Sequence, residues 1–147
     1  MKKILLVIAI VFGALSTQAQ RMDTNDIPQK VRDAFRQDYP TVEFPGWTKF
    51  GDIYITTFAF NGSVTIRYNT DGTLNHLEKS IETNAIPQSA KDYLAKNCPN
   101  DTVQFAFQIK DGNGVITYLT DFSYSDSKKI SKYIFDANGN FIETRSW

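Results

Sequence analysis

Cysteine and histidine each occur once in 147 residues. A single cysteine excludes an intrachain disulfide framework and every cysteine-rich zinc module. A single histidine excludes metal sites that need two. Excess charge of either sign is also missing, with 16 Lys and Arg against 16 Asp and Glu, so nothing points to nucleic acid as a partner. The one long apolar run, Ile4–Leu15, is short of the ~20 residues of a spanning helix. No Gly-x-Ser-x-Gly nucleophile elbow occurs. What is present is a chain 41% hydrophobic and 14% aromatic, enough for one compact domain or two very small ones.

The apolar run reads as part of an address. Lys2 and Lys3 precede it, and Ser16-Thr17-Gln18-Ala19 follows with small residues at the −3 and −1 positions of a cut after Ala19. Residues 1–19 are therefore expected to be a signal peptide. The mature chain, 20–147, would be periplasmic or secreted, with no membrane span after cleavage. Residues 20–26 (Gln-Arg-Met-Asp-Thr-Asn-Asp) are polar and read as a flexible lead-in.

The rest of the chain repeats. Ile27, Pro28, Gln29, Asp33 and Pro40 recur 59 positions later as Ile86, Pro87, Gln88, Asp92 and Pro99. Each segment reads as a short amphipathic helix, with a proline at its first position and another ending it about three turns later. Val31, Ala34 and Phe35 share one face of the first, and Ala90, Tyr93 and Leu94 one face of the second.

After each helix the hydrophobic period becomes two. Val42–Phe50, Ile53–Phe60, Ser63–Asn69 and Thr73–Ile81 read as strands of a first unit, 27–81. Thr102–Lys110, Val115–Tyr124, Lys129–Asp136 and Asn140–Trp147 read as strands of a second, 86–147. Asn61-Gly62 is a type I′ hairpin signal. Pro45-Gly46 implies an edge strand or bulge. Tyr54, Thr56, Phe58 and Phe60 would share one face with Val64, Ile66 and Tyr68 of the next strand. The expected fold is α+β: two tandem units, each a short helix followed by a four-stranded antiparallel meander. The second unit is about eight residues longer, with the excess expected in the Val115–Tyr124 hairpin. Whether the two sheets fuse is left open at this level.

The doubled Ile-Pro…Tyr/Cys-Pro helix, followed each time by an aromatic-rich meander and an Asx-Gly turn, resembles the PepSY-like, beta-lactamase-inhibitor-like secreted proteins of Gram-negative bacteria. The resemblance covers nearly all of 26–147, as one PepSY-like domain. It implies two tandem α+β units, export and no established enzymatic activity. It also implies calcium binding in some members.

Candidate sites are few. His76, Glu78 and Ser80 alternate on one strand and so only share a face, which reads as a half-exposed strand histidine rather than a triad. Cys98 aligns with Tyr39 and reads as filling the small apolar seat that Tyr39 occupies in the first unit. Asp71, Asp111, Asp126 and Asp136 sit in turns, where Asp and Asn are favoured for their backbone preferences. Asp136-Ala137-Asn138-Gly139 resembles the start of a calcium loop, but the twelfth position, which needs glutamate, is Trp147. Asp71, Asp136 and Asn138 are the candidate metal ligands, and calcium the one cofactor they would suit. The twenty aromatics exceed what so small a core buries, so Trp47, Tyr54, Tyr118, Tyr124 and Trp147 are the candidate partner-binding residues. Lys128, Lys129 and Lys132 read as a solvated basic patch.

These features favour a non-catalytic exported module recognising an envelope or secreted protein or peptide on an aromatic sheet face. The alternative is a periplasmic protein responsive to calcium or a small ligand through its turn carboxylates. A homodimer through a sheet edge is compatible with either.

Overall fold

The computed structural model describes residues 20–43, 45–100, 102–123 and 130–146. Nine strands form one antiparallel sheet in strict sequence order, β1 to β9. Strand β1 (Gln20–Met22) leads into a 3-10 turn (Thr24–Asp26) and helix α1 (Gln29–Asp38). Then come β2 (Gly46–Phe50), β3 (Ile53–Ala59), β4 (Ser63–Asn69) and β5 (Leu74–Ile81). A second 3-10 turn (Thr83–Ala85) and helix α2 (Gln88–Asn97) precede β6 (Val103–Asp111), β7 (Ile116–Ser123), β8 (Ile130–Asp136) and β9 (Phe141–Ser146). The fold is α+β.

The residues read as a lead-in contribute a strand and a turn. Residues 20–22 pair with β2 in the register Gln20↔Lys49 and Met22↔Trp47. β2 is thereby an inner strand, and it begins only after Pro45, which lacks the N–H a ladder needs. The prolines also sit one position earlier than expected. Pro28 and Pro87 keep an extended ψ of 140° and 148°, so they cap the helices instead of starting them. Their carbonyls accept the first helical hydrogen bonds, from Val31 and Arg32 and from Ala90 and Lys91. Both helices end alike. Tyr39 and Cys98 share a φ of −132°, and their N–H groups donate to Phe35 and Leu94.

Asn61 and Gly62 take positive φ, 49° and 119°, as the hairpin signal requires. β3 and β4 pair Tyr54↔Tyr68, Thr56↔Ile66 and Phe58↔Val64, the facing set read from the sequence. The extra length of the second half accrues in two steps: β7 starts 63 positions after β3, against 59 for the helices, and β8 starts 67 after β4, so half of it falls in the Val115–Tyr124 hairpin and half before it.

The two meanders fuse. β5 and β6 pair from His76↔Asp111 to Ile81↔Ala106, leaving no break between halves. Two clusters lie above this continuous sheet. Ile27, Val31 and Phe35 pack on Trp47, Tyr54, Val64, Ile66 and Tyr68. Ile86, Ala90, Leu94 and Cys98 pack on Ala106, Phe122 and Phe135. Leu77 belongs to the first and Ile81 to the second, and both are odd positions of β5, so α1 and α2 cover the same face. Among the described residues the opposite face carries no helix.

Candidate binding surface

Strand register decides which side chains are available. Trp47 pairs with Thr56 and so points under α1. It is 2% exposed, with its ring edge-on to Phe35 at 5.5 Å. Tyr54, 5% exposed, faces Tyr68 in the same core, and Lys49 Nζ lies 5.1 Å from its ring centroid. Tyr118 is on the helix face too, half-buried against the second cluster, and its hydroxyl accepts from Gln108 Nε2 at 3.1 Å. The expectation that Trp47, Tyr54 and Tyr118 line an open aromatic face is therefore corrected. The helices bury that face, because the large apolar area of these rings repays burial. Tyr124, Trp147, Asp126, Lys128 and Lys129 lie outside the described residues.

The turn carboxylates are committed to their own turns. Asp71 Oδ1 accepts from the Thr73 amide at 3.0 Å and its hydroxyl at 2.7 Å. Asp136 Oδ1 accepts from the Asn138 and Asn140 amides, and Oδ2 from Asn140 Nδ2, all at 2.8 Å. These bonds, the side-chain ones first, hold both carboxyls below their ordinary range. Asp111 Oδ1 likewise accepts from the Asn113 and Val115 amides. Asp136 and Asn138 share one turn. Asp71 sits in the β4–β5 turn, four strand spacings of ~4.8 Å away, or about 19 Å, so it does not join them around one ion. Among the described residues no three His, Cys, Asp or Glu side chains are grouped to hold a metal.

The face without helices can be followed row by row across paired strands. One row runs Ile55, Arg67, His76, Asp111 over β3 to β6. The next runs Thr57, Thr65, Glu78, Ile109, Thr117. A third carries Ser80, Phe107, Leu119, Ile134, Glu143 over β5 to β9. The fourth is Phe105, Asp121, Lys132, Arg145. Phe107, Leu119 and Ile134 thus stand in line across three strands, with Ile109 beside them; Phe107, Leu119 and Ile109 are half-buried and Ile134, 9% exposed, is the buried floor of the row. The Asp121–Lys132–Arg145 row flanks them on one side, and Glu78 stands on the other. Phe105, 62% exposed, extends the apolar block. In the first half Gly46 leaves a shallow notch between Thr48, Ile55 and Thr57, because a side chain there would meet nothing within 4 Å.

His76 stands in the first of these rows, with Nε2 3.9 Å from Glu78 Oε2. Burial and the Arg67 charge push its pKa below the usual 6.5, against the opposite pull of Glu78 and Asp111. Ser80 gives it no nucleophilic partner, since four residues of strand put it about 13 Å away; its hydroxyl oxygen accepts from the Ser63 amide at 2.7 Å.

The apolar row escaped sequence reasoning. In Phe105-Ala106-Phe107-Gln108-Ile109 the odd positions carry the hydrophobic signal, yet pairing with Ile81 places Ala106 in the core and turns the phenylalanines away from it. An apolar alternation out of phase with the core register was the available clue.

The chain matches no protein-family profile and no curated protein. Solved structures do share its fold. A DUF2874 family protein from Bacteroides ovatus ATCC 8483 superposes with a TM-score of 0.73 at 16% identity, covering 85% of this chain and 89% of that one. A candidate periplasmic protein from Bacteroides eggerthii DSM 20697 gives 0.72 at 15%, over 81% and 88%. A BLIP-like protein from Bacteroides fragilis NCTC 9343 gives 0.68 at 15%, over 81% and 86%. The fold is BLIP-like. Identities this low speak to fold alone.

Proposed function

We propose that the chain is an exported, non-catalytic module that recognises a protein partner on the helix-free face of its sheet. The observation that carries this reading is the Phe107–Leu119–Ile134 row with Ile109 beside it. An apolar centre enclosed by charges is the anatomy of a protein interface. The partner it fits is a folded protein presenting an apolar protrusion flanked by charges of both signs, because Arg67 and Lys132, and Glu78 and Asp121, place two positive and two negative charges around the centre. The leader-like residues 1–19 support export, as does the likeness to a candidate periplasmic protein. The BLIP-like neighbour supports a binding role for this fold.

The test is site-specific photo-cross-linking in an envelope extract. A cross-linker at position 119 is expected to trap one protein that the same group at exposed Lys96, on α2, does not trap. Phe107→Ala should weaken that association by about 2 kcal/mol. Equal trapping from both positions, or capture unaffected by Phe107→Ala, would sink the reading. Capture that required calcium would shift attention to the carboxylates of Asp71 and Asp136.

A further inference from the structure

The sheet has two edges, and they are not alike. β1 is three residues long, whereas β9 presents six, with Phe141 38% and Ile142 51% exposed. A long edge of unpaired N–H and C=O groups is a template for another strand unless charge, proline or irregularity guards it. The charges that could guard β9 neutralise each other. Arg145 Nε donates to Glu143 Oε1 at 2.8 Å, and both side chains stand on the helix-free face.

The geometry points to a second copy of this chain as the strand that pairs with β9, antiparallel, about a two-fold axis through Thr144. Directly opposed residues in an antiparallel pair must point to the same face, so a symmetric pair is centred on a residue and never between two. That leaves three central registers. Centring on Glu143 sets that carboxylate against its own copy, and centring on Arg145 does the same with guanidinium. Only Thr144 sets Glu143 of each copy opposite Arg145 of the other, twice over. Opposite charges in direct cross-strand register are favourable and like charges unfavourable, so charge selects this register. The contact is isologous and closes as a dimer. Because the axis is perpendicular to the sheet, all four helices stay on one side and the two apolar rows come to share one continuous open face.

The bulge near Phe141 leaves 143–146 as the regular part of the edge. So short a pairing buries much less than the ~1,200 Å² of a standard interface, which makes the dimer reversible and dependent on concentration. It does not rest on partner recognition, since backbone pairing along β9 uses neither Phe107 nor Leu119.

Sedimentation velocity of the exported protein over a concentration series tests it. Wild type is expected to shift from monomer to dimer. Glu143→Arg and Arg145→Glu should each weaken association roughly tenfold or more, because every cross-strand pair turns repulsive. An equimolar mixture of the two variants should recover the dimer. The guanidinium introduced in one chain then faces the carboxylate introduced in the other, and the second contact keeps its native pair. Matched thermal melts exclude misfolding. Wild type that stays monomeric, single variants that dimerise like wild type, or a mixture that fails to recover would each overturn the proposal.

Discussion

Thr56 and Thr120 occupy equivalent strand positions, in Tyr54-Ile55-Thr56 and Tyr118-Leu119-Thr120, and both hydroxyls are buried without a hydrogen-bond partner. The Tyr68 hydroxyl is in the same condition, and burial raises its pKa well above the ordinary tyrosine value. A buried unpaired hydroxyl is a penalty that an isosteric methyl removes. Thr56→Val is therefore expected to raise the unfolding free energy by about 1 kcal/mol in urea titration, and Tyr68→Phe to act in the same direction. Trp47→Ala should do the reverse, costing about 3–5 kcal/mol through the cavity beneath α1. His76 supplies a pH signature. Its folded pKa lies below the unfolded 6.5, so on acidification the unfolded chain takes up its proton first. The contribution of His76 is complete above that value and is lost as pH falls through the window beneath it. His76→Gln should make the urea midpoint less sensitive to a drop from neutrality to about pH 5.

At the level of elements, each half closes in the same way. The last hairpin of each half abuts the start of its helix. A Cβ on Gly72 would lie 2.6 Å from the Lys30 carbonyl oxygen, and one on Gly139 would lie 2.7 Å from Pro87 Cβ. Ser89 Oγ also donates to the Asn138 carbonyl. Both glycines hold positive φ, 85° and 84°. Gly114 has a φ of 84° but only Lys110 Cε nearby, at 3.9 Å, so it serves as a control. Gly114→Ala should cost about 1 kcal/mol from backbone strain alone, and Gly139→Ala clearly more, as read from thermal or urea unfolding. The Asx-Gly turns and proline-bracketed helices were legible because their signals are local. β1 was not, since three residues, of which only Met22 is apolar, form a strand only when β2 offers an edge. The contact between glycine turn and helix start was illegible for the same reason.

Across the whole molecule, the β5–β6 ladder makes two helix-covered clusters parts of one sheet. The halves should therefore unfold together. Protection of the α1 amides and of Cys98, 6% exposed in the second cluster, should be lost at the same urea concentration, measured by hydrogen exchange and thiol labelling. Separate midpoints would show that the ladder does not couple the clusters. The candidate surface also belongs to this scale. Trp47, Tyr54 and Tyr118 looked like recognition residues because aromatic excess is visible in composition, but composition carries no face. A one-residue change of register exchanges the two sides of every strand. The pairing Ile81↔Ala106 sends Phe107 outward while Trp47↔Thr56 sends Trp47 inward. Periodicity, turn chemistry and the 59-residue recurrence were enough to determine the helices, the meanders and their order, since each acts over a few residues. Fusion of the sheets, the single helix-covered face and the apolar row on its far side were decided only in three dimensions, because they depend on which strands meet and in what register.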